Sequence, residues 1–135
     1  MPVLQETVVA IRSDGDIVAA RQQGRSLAAA IGFTATDATL IATAISELAR
    51  NIVMYARQGE VIIRSVEISN RKSIVIVARD NGPGIRSVED ALRDGYSTSG
   101  GLGLGLPGVK RLMDEFAIES ELGQGTMVTI KKWLR

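Results

Sequence analysis

Apolar and polar positions alternate loosely along residues 3–12, the period of a strand. Asp14 or Asp16 then offers an N-cap for a helix running to about Ile31, with Gly32 as its C-terminal stop. Further on, Ile41, Ile45, Leu48, Ile52 and Tyr55 recur at 4-3-4-3 spacing. That spacing predicts a second helix over about Thr36–Tyr55 with all five side chains on one buried stripe. Glu60–Ile68 and Ser73–Ala78 are β-branched runs joined at Asn70-Arg71-Lys72, an antiparallel hairpin. Gly82, Pro83 and Gly84 make Asp80–Gly84 a loop. Ser87–Arg93 is compatible with a short helix, and Gly95–Gly105 is too glycine-rich to pack by itself. A helix over about Pro107–Phe116 follows, with proline in the first turn, where its missing N–H costs nothing. Ile118–Leu122 and Thr126–Trp133 form a second hairpin around Gly123-Gln124-Gly125.

The resulting order, β-α-α-β-β-(loops)-α-β-β, shows neither an internal repeat nor a linker. It predicts a two-layer α/β (α+β) sandwich: a mixed, mostly antiparallel sheet with its helices on one face. Residues 1–135 form one domain. Hydrophobic residues at 45% and charged residues at 23% give a globular balance, and a net charge of +1 argues against a nucleic-acid partner. The pairs Lys110-Arg111 and Lys131-Lys132 read as solvated faces. Without cysteine there is no disulfide, thiolate catalysis or Cys-ligated zinc, and nothing points to an oxidising compartment. The absence of histidine excludes a Ser-His-Asp triad and a phosphohistidine relay within the chain. No apolar run reaches the roughly eighteen residues that span a bilayer, and no signal-peptide pattern opens the chain, so no membrane partner and a cytoplasmic location are expected.

Three segments carry candidate chemistry. Gly103-Leu104-Gly105-Leu106-Pro107-Gly108 matches the G-x-G-x-x-G dinucleotide pattern, but the preceding Ser97-Thr98-Ser99-Gly100-Gly101 is no strand, and no Walker Lys-Ser/Thr follows. Bare N–H groups from Gly101, Gly103 and Gly105, leading into a helix N-terminus, suit a polyphosphate; a plain surface loop is the structural alternative. Asp80-Asn81-Gly82-Pro83-Gly84 ends a hydrophobic strand. It makes a tight turn, or else a carboxylate at the mouth of the sheet able to accept from an adenine amino group. Glu47 and Asn51 lie one helical turn apart, at the border of the apolar stripe. They are either an ordinary polar pair or a carboxylate for orienting a nucleophile beside a neutral oxygen for Mg²⁺.

Taken in order, these segments resemble the boxes of the GHKL (Bergerat-fold) ATPase superfamily. Glu47-Leu-Ala-Arg-Asn51 is similar to the N box, Asp80-Asn-Gly-Pro-Gly84 to the G1 box, Gly101-Leu-Gly-Leu-Gly105 to the G2 box, and Gly123-Gln-Gly125-Thr126 to the final GT element. Within the superfamily the chain resembles the RsbT-type serine/threonine switch kinases, through Ala44–Asn51, Tyr96–Phe116 and Lys132–Arg135. The first twelve residues and the Glu60–Lys72 hairpin carry the resemblance most weakly.

The resemblance implies an ATP-dependent serine/threonine kinase with Mg²⁺ as cofactor. Its substrates would be STAS-domain proteins of a stressosome, and it would then switch partners to activate a PP2C-type phosphatase or another downstream enzyme. It also implies roles: Glu47 orients or deprotonates the acceptor hydroxyl, Asn51 positions Mg²⁺, and Asp80 anchors adenine with Thr126 supporting through a water. Gly82 and Gly84 leave room beside the base, Thr98, Gly101, Gly103 and Gly105 cradle the phosphates, and the Gly101–Gly105 loop closes as a lid. The alternative is an anti-sigma-factor-like binding module in which ATP only orders that lid.

Overall fold

A computed structural model describes residues 3–83 and 105–135. Strand β1 (Val3–Ile11) leads into helices α1 (Asp14–Ile31) and α2 (Ala35–Asn51), a π-helical turn (Ile52–Ala56), and the hairpin β2 (Gly59–Ile68) and β3 (Arg71–Asp80). Helix α3 (Gly105–Leu112) and the hairpin β4 (Glu115–Glu121) and β5 (Gly125–Trp133) complete the order. The expected short helix at Ser87–Arg93, the lid, and Gly84, Thr98, Gly101 and Gly103 lie outside the described residues.

The strands form one sheet in the order β1-β2-β3-β5-β4. Every pairing among them is antiparallel, so the expected mixed sheet resolves into an antiparallel one. The two-layer sandwich follows from alternation along the strands. In β2 and β3, Val61, Ile63, Ile74, Ile76 and Ala78 join the main core with Ile41, Ile45 and Leu48 of α2, Leu27 and Ala28 of α1 and Val109 of α3. Their neighbours Ile62, Val66, Val75 and Val77 form a smaller cluster with Met127 on the other face. Period-2 side chains thus divide one β-branched run between two faces. No helix among the described residues is long and apolar enough to cross a membrane.

Local chemistry explains the boundaries and corrects several expectations. The N-cap of α1 is Ser13 rather than Asp14 or Asp16; Asp16 instead accepts the Arg12 N–H through Oδ2 at 2.9 Å, closing the entry to the helix. Gly32 ends α1 in the left-handed region at φ 114°, with the Phe33 N–H reaching back to the Ala28 carbonyl at 3.0 Å. That is the glycine stop expected from the sequence. Thr34 caps α2, accepting from the Asp37 N–H at 3.1 Å. The β2–β3 hairpin turns on Ser69-Asn70, both at positive φ (52° and 65°), while Arg71 and Lys72 already pair with Ile68 and Glu67. A two-residue turn of this kind matches the right-handed twist of its strands, whereas a turn centred on Arg71 does not. Helix α3 starts two residues before Pro107 and ends at Leu112, leaving Glu115 and Phe116 to β4.

Tyr55 is the largest departure. Ile41, Ile45, Leu48 and Ile52 are buried as the spacing requires, but Tyr55 is 48% exposed. The last turn is π-helical, and its wider winding carries residue 55 away from the stripe.

Candidate functional site

Among the described residues the candidates fall in two places, Asp80, Gly82 and Thr126 at one end of the sheet and Glu47, Asn51 and Gly105 on two helices. Asp80 closes β3 directly opposite Thr126 of β5 and opposite Gly59 of β2. Its Oδ1 accepts the Gly82 N–H at 2.8 Å, which makes the tight turn that the sequence offered as one of two readings. A Cβ at Gly82 would stand 2.6 Å from Cβ of Ala56 and 3.0 Å from Oδ1 of Asp80, which ties the turn after β3 to the π turn after α2. Gly125 sits at φ 103° with its Cα hydrogen facing the Asp80 carbonyl, where a side chain would collide with backbone. Glycine is required there both by conformation and by close approach.

Thr126 shares a 2.8 Å hydroxyl contact with Ser120 of β4, and the Ser120 hydroxyl also reaches the Gly125 carbonyl at 3.1 Å. Asp80, Asn81, Ser120, Gly125 and Thr126 line a cavity of about 1150 Å³ at this end of the sheet. Its volume lies above the roughly 300–1,000 Å³ of small-molecule sites, and its walls are rich in polar and charged side chains, with Arg12, Glu60, Arg79 and Glu121 beside Asp80.

Glu47 and Asn51 do not line that cavity; they stand on α2, beyond the π turn that connects α2 to its rim. Glu47 is more deeply placed than a stripe border suggests, with only 5% of its surface exposed. Its Oε2 accepts the Gly105 N–H at the start of α3 at 3.4 Å, and its Oε1 faces Nη1 of Arg50 at 3.5 Å. The structure therefore joins the N-box carboxylate to the last glycine of the glycine-rich loop across 58 residues of chain. Asn51 is partly exposed, one helical turn from Glu47. A neutral amide oxygen one helical turn from a carboxylate fits a magnesium ion that draws its other ligands from phosphate and water.

Two contributors escaped the reading of the sequence. Ser120 supports Thr126, and the alternation of β4 was its one available signal. Arg50 lies inside the N-box segment, and its i,i+3 helical spacing from Glu47 was the signal that could have marked it as a partner.

The comparisons agree with this geometry. The family model described as a histidine kinase-like ATPase domain matches residues 12–132. The chain is 52% identical over 130 residues to the serine/threonine-protein kinase RsbT of Bacillus subtilis, covering 96% of this chain and 98% of that protein. It is 31% identical over 121 residues to the anti-sigma F factor of Caldanaerobacter subterraneus, covering 85% of this chain and 83% of that protein. The anti-sigma F factor of Clostridium kluyveri is 28% identical over 103 residues, 73% of this chain and 72% of its own. With its boxes in order and relatives aligned along nearly their whole length, the chain belongs to the histidine kinase-like ATPase family, in the branch that holds the RsbT kinase.

Proposed function

We propose that the chain is an ATP-dependent serine/threonine protein kinase that phosphorylates STAS-domain proteins of a bacterial stressosome. Having done so, it switches to activating a PP2C-type phosphatase or another downstream enzyme, in the cytoplasm. The observation that carries this reading is the relationship to a serine/threonine-protein kinase over 96% of the chain.

Asp80 holds the adenine amino group at the strand end, with Thr126, itself braced by Ser120, supporting it through a water. Gly82 and Gly84 leave space beside the base, Thr98, Gly101 and Gly103 offer hydroxyl and backbone N–H groups to the phosphates, and Gly105, whose N–H donates to Glu47, lets the backbone pass close to them. Asn51 supplies a neutral oxygen to magnesium. When bound, Mg·ATP supplies the γ-phosphoryl group and the neutralisation of its charge. Glu47 takes the proton of the partner's serine or threonine hydroxyl as the new oxygen–phosphorus bond forms, and the bond between the γ-phosphorus and its bridging oxygen breaks to leave ADP. Such chemistry asks the protein mainly for positioning and electrostatics, which two fixed elements and a strand end provide.

Incubation with labelled ATP and purified STAS-domain proteins, followed by phosphoamino-acid analysis, tests the reading. Phosphoserine or phosphothreonine on a STAS partner is expected, and labelling of none of them overturns it. The anti-sigma F relatives support one other reading, a binding module that sequesters a sigma factor. Nucleotide-dependent co-elution with a sigma factor, without phosphate transfer to any protein, would favour that alternative.

A further inference from the structure

Glu47 is a buried carboxylate, and its partners among the described residues are two: the Gly105 N–H at 3.4 Å and the Arg50 guanidinium at 3.5 Å. Both contacts are long for charge-assisted bonds, so the carboxylate is aimed without being saturated. We infer that Arg50 is the positioning residue of this site, holding the Glu47 carboxylate in the orientation from which it meets an incoming hydroxyl. This rests on the catalytic role proposed for Glu47.

The placement of Arg50 supports the assignment. It stands in the last turn of α2, three residues beyond Glu47, so the two side chains lie on neighbouring lines of the same helix. The Arg50 side chain is 39% exposed while that of Glu47 is 7% exposed, so the guanidinium bridges a buried anion and the solvent. Without it, one long backbone N–H contact would be left to hold the buried carboxylate, which would turn towards solvent. The guanidinium stays charged under all relevant conditions and presents a planar fork. A lysine at this position would keep the charge and lose the fork. Because Arg50 is partly exposed, its truncation empties no core space, and the effect on the site separates from any effect on the fold.

A double-mutant cycle with a STAS-domain acceptor that the wild type phosphorylates tests the inference. Arg50→Ala is expected to lower the rate at saturating Mg·ATP and acceptor by about ten- to a hundredfold, with the Kd for Mg·ATP unchanged within about twofold. In the Glu47→Ala background the same change should cost nothing further, because Arg50 acts through Glu47. Arg50→Lys should recover part of the rate. An unchanged rate in Arg50→Ala, or equal losses with and without Glu47, overturns the inference, as does a loss confined to nucleotide affinity. A second readout is independent of activity. The Gly105 amide resonance should shift in Arg50→Ala in the same direction as in Glu47→Ala, and stay near its wild-type position in Arg50→Lys. If Arg50→Ala leaves that amide in place, Arg50 does not hold Glu47. Should the wild type phosphorylate no acceptor, the kinase reading fails by itself and the amide shifts alone decide the role of Arg50.

Discussion

Asp80 shapes a turn and is proposed to anchor adenine, and one substitution can separate the two. Its Oδ1 accepts the Gly82 N–H at 2.8 Å and shapes the turn, while adenine recognition needs a carboxylate oxygen that accepts and never donates. Asp80→Asn retains an oxygen for the Gly82 N–H, so the protein should stay folded, but it places an amide NH₂ where the base offers its own. ATP affinity should fall by about ten- to a hundredfold, the cost of a lost hydrogen bond that leaves groups unpaired; titration calorimetry on the folded variant checks it, and equal affinity would remove Asp80 from the site. Glu47 has the opposite profile. It brings negative charge close to Gly105, at the end of the proposed phosphate-binding segment, so Glu47→Ala should keep or slightly raise nucleotide affinity while transfer drops by about 10²–10⁴-fold, the range for a positioned general base. Loss of binding and transfer together would mark Glu47 as a brace for α3. Residue identities and their order made both positions legible in the sequence. Ser120 was not, because its contact with Thr126 needs the hairpin to form, whereas Arg50 stands at the i,i+3 helical spacing from Glu47, a signal that was present and passed over.

Among the elements, the π turn after α2 separates what periodicity can say from what it cannot. A 4-3-4-3 repeat assumes regular α winding, and it holds through Ile52; one wider turn then rotates Tyr55 to the surface and sets Ala56 against Gly82. The burial difference has a measurable consequence. Leu48→Ala, at 2% exposure, should cost about 2–5 kcal/mol in urea unfolding, as buried leucines do. Tyr55→Ser should cost no more than about 0.5 kcal/mol, since surface changes away from a packed or capped position rarely exceed that. A large loss at Tyr55 would mean that the helix continues as a regular α-helix and buries the ring.

For the molecule as a whole, the C-terminal residues tie the layers together. Trp133 lies under the Arg71 guanidinium (4.2 Å to the ring centroid) and the Lys131 ammonium (4.7 Å). Its backbone N–H donates to Asp114 and its indole N–H to Glu115. Leu134 packs on the main core, and its N–H donates to the Lys72 carbonyl. Deleting residues 133–135 should therefore lower stability by about 2–4 kcal/mol, the sum of two partly buried apolar side chains and a few hydrogen bonds, while unfolding stays a single transition. Circular dichroism is the suitable probe, since Trp133 is the chain's sole tryptophan. A loss below about 0.5 kcal/mol, the size of an ordinary surface change, would show the tail to be ornament. What the sequence determined by itself is the set of elements, their two-layer arrangement and the candidate residues in their boxes, because propensity, alternation, turn glycines and motif order are local and survive in one dimension. Only the tertiary structure decided the strand order β1-β2-β3-β5-β4, the exit of Tyr55 from the core and the meeting of Glu47 with Gly105. These depend on which surfaces pack and which buried polar atoms find partners, and both are settled between segments far apart in the chain.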